Sequence, residues 1–145
     1  MPERETVERA QEDAREGKSP STQAGEFVRE EIHHIREGKH GARSPQQAIA
    51  IGLSKARRAG VKLGPPNGPA SLRKKAEQDS AAGEKPHHKT SPKRSQAVSG
   101  ALKREPKSAA SRPAMSRQAK KSAAKRGPRA RSGAAMKAAR IRKAA

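Results

Sequence analysis

Leu, Ile, Val and Phe together supply only 14 of the chain's 145 residues, set against 34 Lys and Arg and 14 Asp and Glu. No motif constrains folding as strongly as this imbalance. The large apolar share is about 10%, below the roughly 20% at which highly charged chains tend to be disordered. Fixing one residue's backbone costs about 1–2 kcal/mol, and a single Phe with no Tyr or Trp offers little area to offset it. The composition therefore predicts a small packed head and a long unpacked remainder. A catalytic pocket needs a rigid surround, and no Walker loop, nucleophile elbow or dinucleotide fingerprint occurs, so a binding protein is expected and not an enzyme.

The formal net charge of +20 calls for an anionic partner. Duplex DNA, with one negative charge per roughly 1.7 Å, is the favoured one, and RNA is the competitor. The absence of Tyr and Trp argues against recognition by base stacking. With no Cys, disulfides, thiolate zinc sites and cysteine nucleophiles are excluded. Met1-Pro2-Glu3-Arg4-Glu5 carries no apolar signal core, and no run approaches the roughly 18 apolar residues of a membrane span. A cytoplasmic, nucleoid-associated protein without cofactor is expected.

Charge divides the chain. Residues 1–41 hold 7 basic and 10 acidic side chains, residues 42–64 hold 5 and none, and residues 65–145 hold 22 and 4. Within residues 1–20 the apolar content is only Val7, Ala10 and Ala14, which predicts a weak, frayed helix broken at Gly17-Lys18-Ser19-Pro20. Residues 21–63 read as an antiparallel helical hairpin. Its first helix runs from Thr22 to Glu37, capped by Ser21 or Thr22, with Ala24, Val28, Ile32 and Ile35 inward and Phe27 flanking. Glu26, Arg29, Glu30, Glu31 and Arg36 are expected to face solvent. Gly38 stops this helix, and Ser44-Pro45-Gln46-Gln47 is a strong start for the second, which places Ile49, Leu53 and Ala56 against the first. So small a head is short of core, and homodimerisation is one remedy. Residues 64–69, Gly-Pro-Pro-Asn-Gly-Pro, form a linker. Residues 70–145, rich in Lys, Arg, Ala, Ser and Pro, are expected to be intrinsically disordered, with pieces such as 114–126 and 133–145 turning helical only once phosphates neutralise them.

Gly25-Glu26-Phe27-Val28-Arg29-Glu30-Glu31-Ile32, then Gly38-Lys39-His40-Gly41-Ala42-Arg43-Ser44 and Gln47-Ala48-Ile49-Ala50-Ile51-Gly52-Leu53-Ser54-Lys55-Ala56-Arg57-Arg58-Ala59-Gly60, resemble a family of small uncharacterised bacterial proteins over residues 3–63. That resemblance implies a bacterial cytosolic protein. The remainder resembles linker-histone and bacterial histone-like tails, with Ser91-Pro92-Lys93-Arg94 matching a Ser-Pro-basic-basic turn suited to a minor groove. Lys125-Arg126-Gly127-Pro128-Arg129 is similar to an AT-hook but lacks its Arg-Gly-Arg-Pro order.

The phosphate contacts expected from these readings are Arg43, Lys55, Arg57, Arg58 and Lys62 in the head, and Lys93, Arg94, Lys103, Arg104, Lys120, Lys121, Lys125, Arg126, Arg129, Arg131, Lys137, Arg140, Arg142 and Lys143 beyond it. Contacts of this kind position a protein without reading bases, so binding should be sequence-independent, compacting or bridging nucleic acid. The rival function is a protein-interaction module using an exposed edge of Phe27, Val28 and Ile32, with the basic region serving only to tether it to nucleoid or ribosome. His33, His34, Glu37 and His40 lie close along the chain but lack a two-His zincin spacing, and a surface His pair is the commoner outcome. His87-His88 is a weaker pair still. No metal site is expected.

Overall fold

Helix starts in this chain are built on serine and proline. Ser19 accepts the backbone N–H of Thr22 at 3.4 Å and Pro20 occupies the first helical position, where its missing N–H costs nothing. The pair read as a break thus opens the helix, two residues ahead of the expected cap. Ser44 accepts the Gln47 N–H at 3.2 Å, and the Gln47 side chain accepts from the Arg43 N–H at 2.6 Å, so the capping box closes one residue upstream of its usual donor.

A computed structural model describes residues 1–86 and 89–145. Among them are seven α-helices: α1 (Arg4–Arg15), α2 (Pro20–Glu37), α3 (Pro45–Arg58), α4 (Ala70–Gly83), α5 (Pro92–Arg104), α6 (Arg112–Lys125) and α7 (Gly127–Ala144), with a 3₁₀ turn at Ser108–Ala110. The chain forms two units, Met1–Ala110 and Ser111–Ala145.

In the first unit α2 is flanked by α1 and α3. Its C-terminus closes as a Schellman turn: Gly38 at φ +82° donates to Ile35 O at 3.1 Å and Lys39 to His34 O at 3.0 Å. The backbones of α2 and α3 meet at Gly52, where a Cβ would lie 2.7 Å from Val28 Cα. The core gathers Ala10, Ala24, Phe27, Ala56 and Val61, with Val7, Leu53 and Leu63 against it. Ile32 and Ile35 are buried as expected of an inward stripe.

Two expectations about this head fail. The first helix is not an appendage: Thr6 and Ala10 are buried, Arg9 Nε donates to Glu26 Oε2 at 2.7 Å, and the Glu3 N–H donates to Glu30 Oε2 at 3.1 Å. Nor do Glu30 and Glu31 face solvent; both are buried, because α1 and α3 cover α2 from two sides and bring donors to the carboxylates.

The expected disordered tail is overturned. Helices α4 and α5 and the 3₁₀ turn belong to the first unit; α4 packs on α3 and the 3₁₀ turn on α2 and α3, while α5 is tied to the head through its C-terminal end. Asp79 of α4, 3% exposed, accepts from Ser54 Oγ at 2.7 Å and Arg58 Nε at 2.9 Å on α3. The Gly41 N–H donates to Leu102 O at 2.8 Å, the Ala42 N–H to Pro106 O at 3.0 Å, and Arg36 Nε to Ala110 O at 2.8 Å. A count of large aliphatic residues misses this because the burial is done by Ala76, Ala109 and Ala110. Alanine has the highest helix propensity and loses no side-chain entropy on packing.

The second unit is the helix pair α6–α7, opened by Ser111 accepting the Ala114 N–H at 3.3 Å and divided at Gly127, φ +76°, followed by Pro128. The pieces 114–126 and 133–145, expected to be unstructured until neutralised, fall largely within α6 and α7. Ser91-Pro92-Lys93-Arg94 is likewise the start of α5 and not a separate groove-binding turn.

Candidate nucleic-acid interface

The cations of α3 are largely engaged within the protein. Lys55 Nζ lies 2.7 Å from Glu31 Oε2 and 3.5 Å from Glu30 Oε1. Arg57 is 8% exposed and its Nη2 donates to Gly64 O at 3.2 Å. Arg58 pairs with Asp79. Burial alone would raise the Asp79 pKa, but hydrogen bonds from Lys75, Ser54 and Arg58 outweigh it and hold the carboxyl below its ordinary value. Of the basic surface expected around this helix, Arg58 is exposed though paired, and Arg43 and Lys62, which flank the helix, are exposed, with Arg43 Nη2 3.6 Å from Glu105 Oε1. The edge proposed for a protein partner is not available as drawn, since Phe27 is fully buried and Ile32 is 7% exposed.

Lys93, Arg94, Lys103 and Arg104 are exposed on α5. The second unit differs in kind. It contains 12 Lys and Arg in 35 residues and no acidic residue. At 1.5 Å rise per residue, that is one cation about every 4 Å of helix. On α6, Arg117, Lys120, Lys121 and Lys125 recur at i, i+3, i+4 and i+8 and form one exposed face, while Met115 and Ala123 are half-buried on the other side. On α7, Arg129, Lys137, Arg140 and Lys143 share a face, and Arg131 and Arg142 lie on the opposite one; Arg126 stands exposed at the join. The α6 stripe was legible in the sequence as spacing, but only if a helix was granted there.

Residues 5–67 match the family of unknown function DUF6496. The DUF6496 match spans α1, α2 and α3 and stops before α4, so the acid-free helices lie outside it. No curated protein and no solved structure matches the chain. Among the described residues no helix is long and apolar enough to cross a membrane.

Within the DUF6496 region the structure also gathers two histidines of the set read from the sequence with an acid that reading left out. Glu31, His34 and His40 each offer a ligand atom within 4.8 Å of the others. His33 and Glu37, read with His34 and His40 as a set, are exposed and stand outside this group. His87-His88 lies outside the described residues. The signal available was Glu31-Ile32-His33-His34, a Glu-x-x-His spacing that puts both donors on one helical face, followed by a glycine turn that folds His40 back. His34 Nε2 donates to Glu3 Oε1 at 2.9 Å, and this bond, followed by one from Lys39, holds the Glu3 carboxyl below its ordinary value.

Proposed function

We propose that this protein binds nucleic acid without sequence preference, DNA before RNA, by laying the cationic faces of α6 and α7 along phosphate backbones. The observation that carries the reading is the acid-free second unit, whose 12 cations have no carboxylate within their own unit to neutralise them. A folded helix presents these charges at fixed spacing, so less ordering entropy opposes binding than for a disordered tail. Release of condensed counterions from the duplex then supplies the affinity. Exposed cations on α5 add contacts from the first unit, and two cationic units in one chain suit it to bridging separate segments. Such a protein acts by binding and not by catalysis, and its place is the bacterial cytoplasm, on the nucleoid.

The test is fluorescence anisotropy with labelled duplex DNA and with single-stranded RNA, comparing the full chain with a variant carrying Arg117→Gln, Lys120→Gln, Lys121→Gln and Lys125→Gln. Tight binding by the natural chain and marked weakening in the variant are expected. Equal binding by both proteins would place the interface elsewhere.

A further inference from the structure

The Glu31–His34–His40 group has a feature that ordinary surface ion pairs lack. His40 Nδ1 faces Gly41 O at 3.0 Å, and a carbonyl oxygen only accepts, so Nδ1 carries the hydrogen. The other ring nitrogen, Nε2, lies 3.0 Å from Glu31 Oε1. A neutral imidazole in this tautomer would turn a lone pair on a carboxylate that is 1% exposed. A proton or a metal ion between them relieves that repulsion. The hydrogen bond from Nδ1 to a backbone carbonyl is also the outer contact that metal-bound histidines usually make, and it aims Nε2 as a ligand.

Glu31 Oε2 is buried and accepts no hydrogen bond. Lys55 Nζ is 2.7 Å away and makes an ion pair with it. At this oxygen the carboxylate is held by Lys55 alone. The group borders a cleft of about 390 Å³ reached by Arg94, Val98 and Leu102 of α5, which leaves room for a further ligand. We propose that Glu31, His34 and His40 bind one divalent transition-metal ion of the zinc class. Two imidazoles and a carboxylate are a donor set that zinc accepts, with a fourth position open to water or to a ligand in the cleft. At metal–ligand lengths of about 2.0–2.1 Å, tetrahedral donors stand roughly 3.3 Å apart, so His40 and Glu31 need separate only by a few tenths of an ångström. Lys55 competes with the ion for Glu31; its side chain is 22% exposed and has a path outward. This proposal is independent of the nucleic-acid reading, since α6 and α7 contribute nothing to it.

The test is titration of the full chain, freed of nucleic acid, with Zn²⁺ against a chromogenic chelator, and with Co²⁺ by visible absorption. One equivalent is expected, with intense tetrahedral Co²⁺ bands. His34→Ala and His40→Ala should each weaken binding by at least the roughly 10- to 100-fold that loss of an outer contact costs. A His33→Ala, His87→Ala, His88→Ala variant should bind as the natural chain does. Lys55→Met should bind more tightly, a gain that misfolding cannot produce. Absence of Zn²⁺ binding, binding abolished in the His33, His87, His88 variant, or no gain in Lys55→Met would overturn the proposal.

Discussion

Replacing Asp79 with alanine removes the tie between α4 and α3 and tests whether the region after Pro69 is packed. The Ser54 hydroxyl bond to this carboxylate, 2.7 Å long, contributes about 1 kcal/mol. Arg58 and Lys75 lie 2.9 and 2.7 Å away, but both are more than half exposed. Each of those pairs is therefore worth about 0.2–1 kcal/mol after solvent screening. The loss expected for Asp79→Ala is about 2 kcal/mol, which in a chain of this size lowers Tm by about 4–8 °C. Because the folded carboxyl titrates below its ordinary value, its contribution is complete above the unfolded pKa of about 3.9 and disappears as pH falls through the folded value. The gap between natural and variant Tm should hold steady from neutrality to about pH 5 and close below about pH 4. Thermal melts followed by circular dichroism measure this, with amide exchange reporting on α4. An unchanged Tm at neutral pH, with α4 amides exchanging freely in both proteins, would refute the docking of α4.

Other consequences follow from single contacts. Gly52→Ala forces a Cβ to 2.7 Å from Val28 Cα and 2.9 Å from Val28 N, backbone atoms that cannot swing aside. It should cost about 1–3 kcal/mol, read by denaturant unfolding. Phe27→Ala empties a fully buried site and should cost about 3–5 kcal/mol by the same assay. Gly38→Ala imposes a side chain on a residue at φ +82° and should cost about 1–2 kcal/mol, with fraying confined to the end of α2 in amide exchange. Removing the four cations of the α6 stripe should reduce the slope of log K against log salt on duplex DNA by about 3.6, at about 0.9 per phosphate contact.

The helices of the head were legible because their signals are local. Ser44-Pro45, Gly38 and the Ile32–Ile35 stripe act within a few residues of themselves. The cap at Ser19 was misread because Pro20 was taken as a breaker, although at the first helical turn proline is an initiator. Glu30 and Glu31 were placed in solvent because their partners arrive from far along the chain: Lys55 for both, the Glu3 N–H for Glu30 and His40 for Glu31. In the histidine group, His34 and His40 were read with His33 and Glu37, and Glu31 was left out because it had been placed in solvent. The region beyond Pro69 was misjudged because aliphatic content measures only one route to burial. Alanine-rich segments bury small side chains and let backbones approach, as Ala109 and Ala110 do beneath Arg36. The phosphate-binding candidates on α3 were chosen by charge alone, which cannot distinguish a free cation from Arg57, held by Gly64 O.

The measurement bearing most directly on the central claim is the salt dependence of full-length binding to two unrelated duplexes between about 50 and 200 mM salt, where six to ten phosphate contacts cost roughly 10³- to 10⁵-fold in affinity. Electrostatic, sequence-independent binding predicts a loss of that size, equal for both duplexes. A flat salt response, or a strong preference for one duplex, would contradict it.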